Sequence, residues 1–421
     1  MTDPQEDRIQ RAGIRHYDRD QDRQAVYRIL REVGWVEPGK EHLLDPTLEC
    51  GRALVADLEG SPECVVATAP GTMRYADAEI PFAEVTLVAT SRVARRQGLA
   101  RRTLAQALAA DAADGAALAR VCVFDQGFYN RVGFGPGSYE HTLAFDPAGL
   151  RIAAKPRVPR RLTADDVGLI HASRLARPRG HGGVNYPAVA LTETDVGFWA
   201  DKGFGLGYCD GSNGELTHHF WCSARDVESG PYHVSWMTFQ SREQFHELMA
   251  LIKGLADQVR LVTMREPPGI QFQDLLDRPL RQHQVTQGSR YENRMNVSSF
   301  WQVRILDLRK CLAHTRLCCG GVRFNLRLAD PVEPFVGTGS DWRGVAGDYT
   351  VTLGATSGAE RGSDPSLPTL TASVNAFSRL WLGVRPATGL AITDELSGPA
   401  DLLSQLNRRL KLPEPRPDWD F

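Results

Sequence analysis

The sequence predicts an α/β protein of three successive segments, and three observations carry the prediction. Strand-length apolar runs alternate with stretches of helical spacing through roughly the first 300 residues, the pattern of a partly parallel sheet with flanking helices. A basic, proline-containing stretch, KPRVPRR at 155–161, separates two such alternations. Beyond residue 300, strands lie between turns rich in Gly, Pro and Asp, which marks a third unit. The expected boundaries are 1–150, 151–300 and 301–421.

In the first segment, residues 17–33 read as a helix, with Val26, Ile29, Leu30 and Val33 on one face. Residues 53–58, 64–68 and 82–89 read as strands. An Ala-rich helix follows over 99–113, with Gly115 just past its end. Residues 119–124 form a buried strand. In the second segment, a strand at 233–239, a helix at 242–255 and a strand at 259–265 repeat the strand–helix–strand order of 82–124. The repeat lacks a glycine-bearing basic turn. The third segment has strands at 321–328 and 349–353 and helices at 374–382 and 400–410. The Gly/Ser/Pro-rich 356–368 reads as a mobile loop. Residues 413–421, PEPRPDWDF, form a stiff tail whose aromatic ending predicts that it docks.

Composition limits the function classes. Apolar residues make up 42% and charged residues 24% of 421, which excludes disorder as the main state. Lys plus Arg is 49 and Asp plus Glu 51, a balance that argues against nucleic-acid and membrane-surface binding. The polar start MTDPQEDRIQ does not read as a secretory leader, and no apolar run reaches the roughly 18 residues of a membrane span. The eight cysteines (Cys50, Cys64, Cys122, Cys209, Cys222, Cys311, Cys318 and Cys319) include no C-x-x-C pair and no zinc spacing. Buried, reduced thiols in a cytoplasmic protein without a metal are the expectation. His218-His219 reads as strand or surface histidine rather than as a metal site. The glycines of 203–207 read as closely packed strand.

The most informative stretch is Glu84 to Arg102, EVTLVATSRVARRQGLARR. A strand ends, a turn carries Arg92, Arg95 and Arg96, and a helix begins after Gly98. A helix N-terminus offers N–H groups and a positive dipole end, and small residues at Gly98 and Ala100 let an anion approach. The turn therefore reads as a pyrophosphate site. Its R-x-x-G-x-A spacing is neither that of nucleotide hydrolases nor that of dinucleotide binders.

This turn resembles the acetyl-CoA turn of the GNAT N-acetyltransferases, and Phe128-Tyr129-Asn130-Arg131-Val132-Gly133-Phe134 resembles their closing helix. The full chain is similar to the enhanced-intracellular-survival (Eis) type within that superfamily: two tandem GNAT-like domains, the second without the phosphate turn, then a sterol-carrier-protein-like α+β domain. The resemblance implies that Val88, Ala89 and Thr90 offer a strand edge to acetyl-CoA. It implies that Arg95, Arg96, Gln97, Gly98, Leu99, Ala100 and Arg101 hold its pyrophosphate, and that Phe124 and Asp125 flank the thioester. Tyr129 would be the general acid and the terminal carboxylate of Phe421 the general base. Trp35 would line the acceptor pocket, and Asp418 and Asp420 would add negative charge to it. The implied acceptors are multi-amine molecules such as aminoglycosides, and the implied assembly is a homohexamer. Protein-lysine acetylation, with an open cleft, and apolar-ligand binding by the third unit are the alternatives.

Overall fold

The computed structural model describes residues 13–419 other than 124, 202, 225 and 319. It contains three sheets. The first begins as an antiparallel meander of Ile14–His16, Arg52–Leu58, Ser61–Tyr75 and Ala78–Thr90. Glu59 and Gly60, at φ 55° and 85°, close the Leu58–Ser61 hairpin in the two-residue form that matches strand twist. The helix Leu99–Ala113 then crosses over and delivers Leu118–Cys122 parallel to Ala78–Thr90. The helix Arg19–Glu32, capped by the Asp18 carboxylate, covers the opposite face through Val26, Ile29 and Leu30.

The second sheet repeats this unit. Tyr232–Thr238 and Val262–Arg265 are parallel neighbours joined through the helix Arg242–Gly254. The expectation for 203–207 holds: Gly203–Tyr208 is a strand, and a Cβ on Gly205 would come within 2.7 Å of the Trp221 ring.

The sheets do not respect the expected boundaries at 150 and 300. Glu140–Phe145 lies in the second sheet, between Arg294–Ser298 and Val262–Arg265. Trp301–Ile305, expected in the third unit, completes the first sheet between Leu118–Cys122 and Gly135–Pro136. The two α/β units thus exchange strands. The third sheet runs Gly358–Arg361, Gly347–Leu353, Val322–Ala329, Thr369–Ser373, Leu396–Ser397, with helices Val374–Trp381, Ala387–Thr393 and Ala400–Arg409. Its core is continuous with that of the first sheet through Trp301, Val303 and Val374. The 356–368 segment is not a bare loop, because Gly358–Arg361 pairs with Gly347–Leu353. No helix among the described residues is long and apolar enough to cross a membrane.

One cysteine expectation changes, and the histidine pair falls on the strand side of its expectation. Cys318, expected buried, is exposed, and Cys319 lies outside the described residues. His218 and His219 open the strand His218–Ala224, the strand arm of their expectation, and both are fully buried. His218 Nε2 lies 3.2 Å from Glu247, and Asp210 completes a cluster of metal-ligating types. Arg157 bridges both carboxylates at 2.7 Å, so the negative charge a cation would need is already neutralised by a guanidinium.

His219 is held neutral. Its Nε2 accepts from the Trp236 indole at 3.3 Å, which leaves the proton on Nδ1, 3.2 Å from Ser173 Oγ. Burial, with Arg174 nearby, pulls its pKa down to about 3. A depressed folded-state pKa leaves stability intact above the unfolded value of about 6.5 and removes it as pH falls toward the folded value. Denaturant unfolding is therefore expected to show a His219 contribution declining by up to about 1.4 kcal/mol per pH unit below about pH 6.5. His219→Gln should flatten that slope, and an unchanged slope would exclude His219 as its source.

Candidate active site

The site begins with a defect in strand pairing. Ala67 pairs with Leu87 and Thr68 with Val85, which leaves Thr86 as the extra residue of a β-bulge in Ala78–Thr90. A bulge bends and twists its strand. The parallel pairing with Leu118–Cys122 stops at Val85–Val121, one residue earlier. From Thr86 to Thr90 the strand keeps its antiparallel neighbour, through Val88–Val66, Ala89–Val65 and Thr90–Cys64. Its other edge carries no ladder partner among the described residues.

The gap between the two diverging strands is a cavity of about 450 Å³. Val88, Cys122, Val123 and Tyr129 line it, and the half-exposed rings of Trp35 and Phe300 stand at its rim. Thr86 also belongs to its wall, and its hydroxyl is buried without a hydrogen-bond partner among the described residues. Tyr129 is carried by the helix Gln126–Asn130 and packs edge-on against Phe128 and Phe134, at 5.0 and 6.0 Å between ring centroids. Burial, reinforced by Cys122, Asp125 and Glu84, pushes its phenol well above the ordinary value of about 10, so the hydroxyl stays protonated at neutral pH.

The basic turn lies where Ala78–Thr90 ends. Arg92–Ala94 make a short 3-10 turn, tied back to the first helix by Arg92 N–H donating to Glu32 at 2.8 Å. Arg95 and Arg96 are exposed. Arg96 has φ 62° and Gly98 φ 78°, two left-handed residues that turn the chain into Leu99–Ala113. A Cβ on Gly98 would meet nothing within 4 Å, so the demand for glycine there is conformational rather than spatial. No side chain caps this helix, whereas the equivalent helix of the second unit is capped by Ser241 Oγ accepting from Gln244 N–H. The first helix start is thus open to an anion, and the second is satisfied by its own chain. Gln97 donates to the Val93 carbonyl, and Leu99 points into the core.

Two expected cofactor residues have side chains engaged elsewhere. The Arg101 side chain stacks on Phe335 of the third unit at 4.7 Å, so only its backbone N–H remains for a ligand at the turn. Asp125 is exposed and caps the Tyr129 helix by accepting from Phe128 N–H at 3.2 Å, so it positions the tyrosine rather than flanking the cleft. Phe124, Asp420 and Phe421 lie outside the described residues.

Sequence reasoning missed a buried polar group behind the cavity. Glu84 and Arg120 are register partners on neighbouring strands, fully buried and 2.9 Å apart, and the Tyr186 hydroxyl donates to Glu84 at 3.0 Å. The remaining arms of Arg120 reach Cys122 Sγ at 3.1 Å and the Trp419 carbonyl at 3.3 Å. The only signal in the sequence is one acid and one arginine, each set among apolar residues of its strand.

The tail docks here, as its aromatic ending predicts. Pro415 accepts from Ser138 Oγ, and Arg416 N–H donates to the His181 carbonyl. Asp418 pairs with Arg177 at 2.7 and 2.9 Å and accepts from Val184 N–H. Trp419 is 2% exposed, with the Arg174 guanidinium 3.8 Å above its ring and Tyr186 edge-on at 5.3 Å. Asp418 therefore brings no unbalanced charge to the site, contrary to expectation. A second cavity of about 970 Å³ adjoins the first through His233, Val234, Ser235 and Arg265, with Trp419 and Asp418 in its wall. All four carboxylates of that wall have partners: Asp195, Glu414 and Asp418 form ion pairs with Arg174, Arg416 and Arg177, and Glu266 shares a hydrogen bond with His141 at 2.6 Å.

Residues 14–137 match the family model described as an acetyltransferase (GNAT) domain. No curated protein sequence matches the chain significantly. Solved structures match over its whole length. A protein from Enterococcus faecalis described as a probable N-acyltransferase has 17% identity and a TM-score of 0.77, over 97% of this chain and 99% of that one. A GCN5-related N-acetyltransferase from Anabaena variabilis has 13% identity and a TM-score of 0.76, over 98% and 100%. Eis1 from Mycobacterium abscessus has 15% identity and a TM-score of 0.74, over 97% and 100%. At these identities the shared property is the fold, and the GNAT domain is where the chemistry is expected.

Proposed function

We propose, from the GNAT acetyltransferase domain at residues 14–137, that this chain transfers the acetyl group of acetyl-CoA to an amine at the cleft between its diverging strands. The open edge at Val88, Ala89 and Thr90 accepts the pantetheine arm as a short strand would. The uncapped helix start from Arg95 to Ala100, with its two exposed arginines, takes the pyrophosphate. The buried Thr86 hydroxyl without a partner supports this fit, because a polar ligand would satisfy it.

The acceptor nitrogen attacks the thioester carbon. A C–N bond forms, the C–S bond breaks, and the nitrogen sheds a proton while the sulfur gains one. Tyr129, protonated and lining the cavity, is the group we assign to the sulfur. The terminal carboxylate of Phe421 is the group we assign to the nitrogen. A free terminal carboxylate, with a pKa of about 3.3–3.7, is a weak base toward an ammonium ion. It acts by holding the multi-amine acceptor through a neighbouring ammonium and taking the proton from the neutral attacking amine as attack makes that nitrogen acidic. The observation that carries this reading is Arg120, which binds the Trp419 carbonyl with one arm and touches the cavity-lining Cys122 with another.

For the acceptor we propose a multi-amine small molecule of the aminoglycoside type, entering through the larger cavity past Trp35 and the tail, with Asp420 beside it. The third unit is read as sterol-carrier-protein-like, serving to seat the tail, and the assembly as a homohexamer. The size of the larger cavity and its fully paired carboxylates also favour a second reading, a protein lysine side chain as acceptor. Release of CoA thiol with a panel of aminoglycosides, polyamines and lysine peptides tests both. Release with multi-amine sugars, reduced at least about 100-fold on deleting Phe421, is the expected result. Release with lysine peptides alone would move the second reading to first place.

A further inference from the structure

The cysteines divide sharply by environment. Cys64, Cys222 and Cys311 are buried, and burial pushes their thiols up, Cys64 to about 11 and Cys222 to about 12. Cys50 is likewise pushed to about 11. Such thiols are inert, because the thiolate is the nucleophile. Cys122, half-buried like Cys50 and Cys209, differs in two ways: it lines the cavity between the diverging strands, and it accepts a hydrogen bond from the Arg120 guanidinium at 3.1 Å, against 3.9 Å from Arg160 to Cys209. The guanidinium sets a cationic hydrogen-bond donor against the sulfur, which none of the buried thiols has. The same cavity wall includes Thr86, whose hydroxyl is buried and without a partner among the described residues, an independent sign that a polar ligand belongs there. On the reading of this cleft as the acetyl-CoA site, the sulfur of the bound cofactor lies in the same 450 Å³ as Cys122.

We propose that Cys122 is a modification site for oxidised CoA, capturing one half of a CoA disulfide seated in the acetyl-CoA groove. The Cys122 thiolate attacks one sulfur of the CoA disulfide. That S–S bond breaks, a new S–S bond joins Cys122 to one CoA half, and the other half leaves as CoA thiolate. The only oxidising equivalent consumed is the disulfide itself. The adduct occupies the cofactor groove and blocks acetyl transfer, and a thiol reductant restores the enzyme. Nucleotide recognition by the basic turn sets the selectivity: CoA disulfide is guided to Cys122, whereas a small peptide disulfide is not.

The inference rests on the acetyl-CoA reading, so the experiment measures the two separately. The full chain is incubated with CoA disulfide or with glutathione disulfide, and adducts are located by peptide mass mapping, with exposed Cys318 as internal reference. Acetyl-CoA binding is measured in parallel by calorimetry. The expected result is a CoA adduct at Cys122 forming at least about tenfold faster than the glutathione adduct there, suppressed by saturating acetyl-CoA. Cys318 should show no such preference or protection, and Cys122→Ser should bind acetyl-CoA while acquiring no CoA in the groove. Equal rates with both disulfides, or a Cys122 adduct insensitive to acetyl-CoA that calorimetry shows to bind, would overturn the proposal and leave the acetyltransferase reading standing. Absence of acetyl-CoA binding by the untreated chain would overturn both.

Discussion

Tyr129→Phe is expected to lower turnover roughly 10²–10⁴-fold, the usual weight of a positioned proton donor. The affinity for acetyl-CoA should stay within about twofold, because the ring and its edge-on contacts with Phe128 and Phe134 remain. The phenol is kept protonated by burial, so the wild-type rate should show no loss of a tyrosine proton below pH 10. Steady-state rates against pH, with calorimetric titration of acetyl-CoA, check both statements. A Phe variant of normal turnover would remove Tyr129 from the chemistry and leave it as a core aromatic.

Trp419→Ala is the second large effect, and it acts on stability and rate together. A buried tryptophan truncated to alanine costs about 3–5 kcal/mol. Here the loss includes the cation–π contact with Arg174 and the edge contacts with Tyr186 and His171. The arginines it screens, Arg174 and Arg177, keep their partners Asp195 and Asp418, so the fold is expected to survive with a lower denaturation midpoint. The tail end keeps its backbone carbonyl for Arg120 but loses the ring that holds it in place, and turnover should fall toward the level of the chain lacking Phe421. Trp419→Phe, which keeps an aromatic face over Arg174, should recover part of both losses. Full activity in Trp419→Ala would show that the docked tail has no part in catalysis.

The strand–helix–strand units were legible because local signals agree there: an apolar strand, a turn with Gly98, and an Ala-rich helix point to one structure. The cleft was legible only in outline. The bulge at Thr86 depends on a register with Thr68 that no local pattern specifies. The exchange of Glu140–Phe145 and Trp301–Ile305 was invisible for the same reason: each reads as a strand, and nothing near it says which sheet it joins. The tail's docking could be anticipated from Trp419, but not the pairing of Asp418 with an arginine 241 positions away. Glu84 and Arg120 were passed over because single charges in apolar strands carry no periodic signal; their pairing becomes evident only from the register.

The strand exchange also sets a timetable for biosynthesis. When Leu118–Cys122 leaves the ribosome, the strand that will cover its free edge, Trp301–Ile305, is about 180 residues away, a wait of roughly 10–40 s at ordinary rates of translation. Throughout that interval the nascent first sheet presents the backbone groups of Leu118–Cys122 to any extended chain nearby. The newly made protein is therefore expected to depend on the pace of synthesis and on holding chaperones until residue 305 has emerged.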